Sequence, residues 1–181
     1  IFARGGEEAE HLAHHNVPFE VVPGITSAVA APGVAGIPAT HRDHASALAV
    51  VTGHENPTKA DSALDWGALS DLVSAGGTLV ILMGVGRLPD NAATLREEGV
   101  DPETPVAMVE RATLPDERTV TGTLDTIVDR VHEAGIDPPA VTVVGGVVDV
   151  RETVAHCLGE TDAATDGSVL SGVEVVEVNR Q

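Results

Sequence analysis

The sequence predicts an α/β fold in which a β-sheet is flanked by helices. Short runs of branched aliphatic residues alternate with helical segments along most of the chain, which is the pattern of a layered sheet-and-helix domain. Apolar residues make up 43% of the sequence but aromatic residues only 2%. The core must therefore consist of Val, Leu, Ile and Ala, as is typical of the buried strands of α/β proteins.

The first forty residues predict a helix, a strand and a second helix. Residues 5–16 place acidic side chains in the first helical turn, where they complement the helix dipole. Residues 19–22 (FEVV) predict a short strand that a Pro-Gly turn closes. Thr26 or Ser27 can cap the following helix of small residues, which we expect to break near Pro32.

Strands and helices alternate after residue 42. The predicted strands are 47–52, 78–83, 105–110, 118–123 and 141–144, and the predicted helices are 66–75, 88–98 and 124–134. The run TLVILM at 78–83 is almost entirely apolar, as expected for a central strand. Residues 56–65 read as a polar loop. Residues 156–181 are rich in Asp, Thr, Gly and Ser and predict a mobile acidic tail, in which 173–178 could pair as an edge strand.

The charge balance of the chain is strongly acidic. It carries 28 acidic and 10 basic residues, for a net charge of −18, and Lys59 is the sole lysine. This composition argues against nucleic-acid binding through a general basic surface. A plain acidic surface that repels itself would explain the charge. We favour adaptation to molar salt, where the Debye length of about 3 Å screens such repulsion.

Cysteine usage and hydropathy predict a cytoplasmic protein. The single Cys157 cannot form an internal disulfide, which suits a reducing compartment. The sequence shows no apolar stretch of the length that a membrane span needs, and no signal peptide. We therefore expect neither a membrane nor a nucleic acid among its partners.

Several short motifs follow one another in a defined order. They are RGGEE at 4–8, VPGITSA at 22–28, GIPATHR at 36–42, VTGH at 51–54, LMG at 82–84, VERATLP at 109–115, TGTL at 121–124 and PPAV at 138–141. Any one of them alone is weak evidence. Together, from residue 1 to about 151, they resemble the uroporphyrinogen-III C-methyltransferases of the tetrapyrrole methylase family.

The resemblance implies the tetrapyrrole methylase fold, with two α/β domains, ligands in the cleft between them, and a homodimer. Residues 1–40 would end the N-terminal domain, 41–155 would form the C-terminal domain, and 156–181 would be the tail. In the family, a strand-rich half with a glycine-rich loop and a catalytic aspartate precedes the position of Ile1. We therefore expect this chain to be an incomplete portion that is inactive alone.

The resemblance also implies a reaction. S-adenosylmethionine would donate methyl groups to ring positions 2 and 7 of uroporphyrinogen III, yielding precorrin-2 and S-adenosylhomocysteine. This in-line transfer requires no metal and no covalent enzyme intermediate. The protein must align donor and acceptor, bind the eight carboxylates of the macrocycle and help a proton to leave.

Family residues at the macrocycle map onto Arg4, Glu7 and Arg42. The planar fork of arginine suits carboxylate binding, and an acidic chain needs local positive charge to hold a polyanion. The resemblance makes Arg4 and Glu7 the candidate catalytic residues. Because arginine stays protonated, we favour binding and orientation as the main role of Arg4. Glu7 could instead serve only the helix dipole.

The resemblance places the donor contacts at small side chains and backbone. They map onto Ile1, Thr26, Ser27, Met83, Ala112 and Ala140. Met83 follows a strand, at the rim where α/β sheets usually bind ligands, and its thioether can pack against adenine or the macrocycle. Thr26 and Ser27 are good helix caps on any interpretation, and Met83 could belong to the core.

Three alternatives stay open. His11 and His15 have the i, i+4 spacing of a metal pair, but the sequence shows no third ligand. Another tetrapyrrole methylase or diphthine synthase would share the fold. The chain could also be a non-catalytic remnant, or a subunit that binds tetrapyrrole or another chain.

Overall fold

The computed structural model describes residues 4–55, 57 and 62–157. The α-helices in these residues are α1 (Gly5–His14), α2 (Ser27–Val34), α3 (Trp66–Ser74), α4 (Leu88–Glu97), α5 (Ile127–Glu133) and α6 (Asp149–Cys157). The strands are β1 (Leu48–Thr52), β2 (Thr78–Leu82), β3 (Pro105–Glu110), β4 (Arg118–Thr123) and β5 (Ala140–Val144). Short 3-10 helices at Val85–Arg87 and Gly146–Val148 lead into α4 and α6. Ile1 and the predicted edge strand at 173–178 lie outside the described residues.

One sheet joins the strands in the order β1-β2-β5-β3-β4. β1 and β2 are parallel, whereas β5 is antiparallel to both of its neighbours. At one end of the sheet, Leu82 ends β2, Glu110 ends β3 and Ala140 begins β5. We call this end the upper edge. The lower edge is the opposite end, where Thr78 begins β2 and Val144 ends β5.

Helices cover both faces of the sheet, which confirms the predicted α/β class. Side chains of a strand alternate between the faces, so Leu79 and Ile81 of β2 join one hydrophobic cluster while Val80 joins the other. Residues of α3, α4 and α5 complete the first cluster. The second cluster contains Ala28 and Ala31 of α2, whose small side chains let this helix pack closely on the sheet. The predicted interior position of β2 is confirmed.

The predicted strand at 19–22 is wrong. Residues 17–26 form no strand, and their apolar side chains are largely exposed, with Val22 81% and Ile25 87% accessible. A strand needs a neighbour to pair its backbone N–H and C=O groups. No such neighbour lies beside this segment in the described part of the chain. Whether residues 1–40 end a first domain stays a prediction.

Three helices also differ from the sequence prediction. α2 continues through Pro32 to Val34, because Pro32 is itself buried and this burial outweighs the loss of one backbone donor. α5 begins later than predicted, at Ile127, after a turn in which Thr126 N–H bonds the carbonyl of Thr123. α6 was not predicted, and Arg151 within it donates to the carbonyl of Ala35 after α2. Every helix among the described residues is too short or too polar to cross a bilayer.

A buried carboxylate links the upper ends of β3 and β4 to the end of α5. Glu110 is only 3% exposed. Its Oε2 accepts a hydrogen bond from Arg118 Nε at 2.6 Å, and its Oε1 accepts the backbone N–H of Asp137 at 2.8 Å. Burial raises the pKa of Glu110, but these hydrogen bonds and the charges of Arg118 and Arg111 outweigh it, so the pKa lies below the ordinary 4.5.

The low pKa of Glu110 predicts a pH-dependent contribution to stability. A depressed carboxyl pKa stabilises the fold fully above the unfolded pKa, near 4.5, and this contribution is lost as the pH falls through the folded value. Glu110→Gln should lower the free energy of unfolding by about 2 kcal/mol at pH 7, with a smaller difference at pH 3. Urea unfolding at both pH values measures this. Glu97→Gln, on the exposed face of α4, is the control, and a pH-independent difference for Glu110→Gln would contradict the prediction.

Candidate functional site

The upper edge of the sheet brings together three of the predicted donor residues. Met83 follows β2, Ala112 lies two residues after β3, and Ala140 begins β5. Glu110 pairs with Ala140 in the ladder, and neighbouring strands lie about 4.8 Å apart. The backbone N–H of Arg111 also donates to the carbonyl of Pro139 at 3.0 Å. The loops after β2 and β3 therefore flank the start of β5.

Three residues at this edge have left-handed backbone conformations. They are Met83 with φ 56°, Arg111 with φ 49° and Thr113 with φ 72°. Few residues other than glycine adopt such values, and a β-branched residue such as threonine is a clear outlier. Strained backbone of this kind collects at binding and catalytic sites. In the described part of the chain, the sole other non-glycine case is Asn16, a residue type that tolerates this conformation.

Met83, Ala112 and Ala140 form an apolar patch at the upper edge, beside the exposed Arg111 and Thr113. Met83 is 63% exposed although it follows a buried strand. Ala112 and Ala140 are half-buried and present no more than a methyl group. Small side chains allow a ligand to approach the peptide groups, and an exposed thioether can pack against an aromatic or apolar ligand. This surface therefore suits a ligand held largely through backbone contacts.

The C-terminal end of α2 lies toward the lower edge. There, Ala35 accepts a hydrogen bond from Arg151 in α6, and α6 follows the lower end of β5. Thr26 caps α2 by accepting the backbone N–H of Ala28 at 3.2 Å, and Ser27 is exposed.

Arg42 lies at the lower edge, away from the predicted donor residues. It lines a surface cleft of about 430 Å³ together with Asp43, His44 and residues of the α3–β2 connection. The five residues of β2 span roughly 16 Å at about 3.3 Å per residue. The structure therefore separates Arg42 from Met83 by the height of the sheet, although both were predicted to contact the macrocycle.

Arg4 and Glu7 contact each other on α1. Arg4 Nη2 lies 2.8 Å from Glu7 Oε2, and the two side chains are 83% and 67% exposed. α1 has no buried side chain. Among the described residues, no hydrogen bond or ion pair links this pair to the upper edge.

The histidines of α1 form a pair without further ligands nearby. The ring centroids of His11 and His15 lie 4.3 Å apart, and His15 Nδ1 is 2.8 Å from the carbonyl oxygen of His11. Within the described residues, no group of three or more His, Cys, Asp or Glu side chains is placed to hold a metal ion.

Two residues at the upper edge escaped the sequence prediction. Arg111 and Thr113 flank Ala112, and their left-handed backbone gives this loop its shape. Their residue types offer no signal, because arginine and threonine are not residues that mark a positive φ. Their place in the motif VERATLP, directly after a predicted strand, was the available clue.

The chain matches the family model of Tetrapyrrole (Corrin/Porphyrin) Methylases over residues 1–128. It is 49% identical over 166 residues to an S-adenosyl-L-methionine-dependent uroporphyrinogen III methyltransferase of Methanosarcina barkeri, covering 92% of this chain and 62% of that protein. It is 47% identical to a uroporphyrinogen-III C-methyltransferase of Priestia megaterium, covering 82% of this chain and 61% of the relative. The chain thus spans about three-fifths of the length of these relatives.

Solved structures show the same likeness. A uroporphyrin-III C-methyl transferase from Thermus thermophilus, complexed with S-adenyl homocysteine, has a TM-score of 0.68 and 39% identity, with 83% of this chain and 63% of that chain covered. A cobalt precorrin-4 methyltransferase of cobalamin biosynthesis has a TM-score of 0.71 and 26% identity, with coverage of 82% and 61%. The sequence match and the shared fold agree, and this chain belongs to the tetrapyrrole methylase family.

Proposed function

We propose that this chain is a portion of an S-adenosylmethionine-dependent uroporphyrinogen III C-methyltransferase. The reaction methylates ring positions 2 and 7 and yields precorrin-2, the precursor of sirohaem and cobalamin. The observation that carries the proposal is the upper edge, where Met83, Arg111 and Thr113 hold strained backbone beside an open apolar surface. The likeness to two uroporphyrinogen III methyltransferases supports the choice of substrate.

The donor fits the upper edge. An exposed thioether at Met83 and methyl side chains at Ala112 and Ala140 leave the peptide groups accessible to a nucleoside. Thr26 and Ser27, at the start of α2, would complete this side of the donor site, with Ile1 as a further contact. When bound, S-adenosylmethionine supplies a methyl group activated by its sulfonium. The residues of this chain bind and orient it, and no metal takes part.

Arg42, Arg4 and Glu7 would serve the acceptor. Arg42 is exposed at the lower edge, so it would bind carboxylates remote from the reacting carbon. Arg4 already pairs with Glu7, and it would have to share its guanidinium between this glutamate and the substrate. Arg4 would orient the macrocycle, and Glu7 is the candidate to assist proton removal.

The exposed apolar residues of segment 17–25 support the proposal that residues 1–40 end a further α/β domain, while α2 also packs on the described sheet. Val22 and Ile25 are the most accessible of them, and burial of such side chains is favourable by about 25 cal/mol per Å². A homodimer in the cytoplasm, as the family resemblance implies, completes this proposal.

Donor binding and substrate choice test the function directly. The full-length protein should bind S-adenosylhomocysteine in titration calorimetry. It should also convert uroporphyrinogen III to precorrin-2 in preference to later corrinoid intermediates or a diphthine precursor, as followed by absorbance and mass spectrometry. Binding without turnover of any acceptor would favour a non-catalytic binding subunit. Preference for a later corrinoid would favour another methylase of the same fold.

Replacement of Arg42 separates acceptor binding from donor binding. Arg42→Ala in the full-length protein should raise KM for uroporphyrinogen III about tenfold or more, because a carboxylate partner is lost. The affinity for S-adenosylhomocysteine should be unchanged, since Arg42 lies at the opposite edge of the sheet. Arg96→Ala, an exposed arginine paired with Asp125, is the control. Equal loss of donor and acceptor affinity would contradict the assignment of Arg42 to acceptor binding.

The acidic composition predicts a salt requirement. A net charge of −18 with one lysine supports the proposal that the protein works in molar salt, where repulsion between its carboxylates is screened. The thermal midpoint and the methylation rate should both rise between dilute buffer and 2 M KCl. A protein that is most stable and active in dilute buffer would refute this proposal.

A further inference from the structure

We propose that Glu110 and Arg118 are positioning residues that hold the two loops of the donor site in place, an inference that rests on the proposed function. Glu110 belongs to the motif VERATLP and directly precedes the strained loop at 111–113. The function proposed above assigns no role to either residue. Both lie beside the upper edge, because Glu110 ends β3 and Arg118 begins β4.

The Glu110 carboxylate contacts both sides of the site. It ends the strand that leads into Ala112, and it is almost fully buried. Its Oε1 accepts the backbone N–H of Asp137 at 2.8 Å, three residues before Ala140. One rigid side chain therefore fixes the distance between the loop after β3 and the loop before β5. Loss of these partners would leave a buried charge uncompensated and would strongly destabilise the fold.

Arg118 extends this link to α5. Its Nε bonds Glu110, while Nη1 and Nη2 donate to the carbonyl oxygens of Ala134 and Gly135, each at 2.8 Å. These carbonyls end α5 and begin the loop that leads through Asp137 to β5. The planar guanidinium reaches three acceptors at fixed angles, which a lysine ammonium cannot reproduce. Arg118 thus neutralises Glu110 and also anchors the approach to β5.

The strained backbone has local support from the bond of Thr113 N–H to Glu117, and it is also linked to the loop before β5. Arg111 and Thr113 hold left-handed conformations, which persist only where the surrounding structure over-determines them. The Arg111 N–H is bonded to Pro139 across the same two loops. If the loop before β5 shifts, this bond and the shape around Ala112 change together. Donor affinity should therefore respond to Arg118 although Arg118 itself touches no ligand.

Arg118→Lys distinguishes the role of the positive charge beside Glu110 from the role of the hydrogen bonds to the two carbonyls. Lysine keeps a cation beside Glu110, so the thermal midpoint of the full-length protein should stay within a few degrees of the unsubstituted value. It cannot hold both carbonyls of the α5 end, so affinity for S-adenosylhomocysteine should fall about tenfold or more, whereas KM for uroporphyrinogen III should change less than about twofold. Calorimetric titration, circular dichroism and steady-state kinetics measure the three quantities.

Arg96→Lys is the matched control, since Arg96 has the same 43% side-chain exposure as Arg118 and pairs with Asp125 away from the upper edge. It should bind S-adenosylhomocysteine normally. Unchanged donor affinity in Arg118→Lys, or a loss that only parallels lost stability, would overturn the inference.

A second variant and the unsubstituted protein complete the test. If Arg118→Lys does not fold, Glu110→Gln is the second variant, because it keeps an oxygen for the Asp137 N–H and replaces the acceptor of Arg118 Nε with an amide NH2 group. Normal donor affinity in a folded Glu110→Gln would likewise overturn the inference. If the unsubstituted full-length protein binds no S-adenosylhomocysteine, the proposed function itself fails, and that result is distinct from failure of the positioning role alone.

Discussion

The antiparallel insertion of β5 between β2 and β3 is the constraint on which the candidate site depends. Because β5 runs against both neighbours, its first residue lies beside the last residues of the two flanking strands. Two loops that leave the sheet and one that enters it therefore meet at a single edge. With parallel strands throughout, the start of β5 would lie at the lower edge, and Ala140 would be far from Met83 and Ala112.

Strain and burial act together at this edge. Residues in sparsely populated backbone regions cost of order 1–3 kcal/mol each, and the upper edge carries three of them. The strained conformations persist because the surrounding structure holds the loops in place. On one side, Arg111 bonds Pro139 across the loops. On the other, buried Glu110 bonds the backbone of Asp137, and its lowered pKa keeps this acceptor charged at neutral pH.

The sequence by itself determined the class of fold and most of its elements. Each predicted strand after residue 42 occurs within two residues of its expected position, because the strands are short runs rich in β-branched residues. The motifs identified the family because many of them follow one another in the family's order. The assignments of Arg4, Glu7 and Arg42 to the acceptor, and the division of the chain at residue 40, remain predictions.

Tertiary structure decided the features that depend on contacts between residues far apart in the sequence. Segment 19–22 has strand composition but no strand beside it in the described residues, and Pro32 lies within a helix because it is buried there. The residue types gave no sign of the left-handed backbone at Arg111 and Thr113, which occurs where Arg111 N–H bonds Pro139 across two loops and Thr113 N–H bonds Glu117 within one. It also could not place Arg42 and Met83 at opposite edges. The order and direction of the strands set that distance, and they arise from long-range pairing that local composition does not encode.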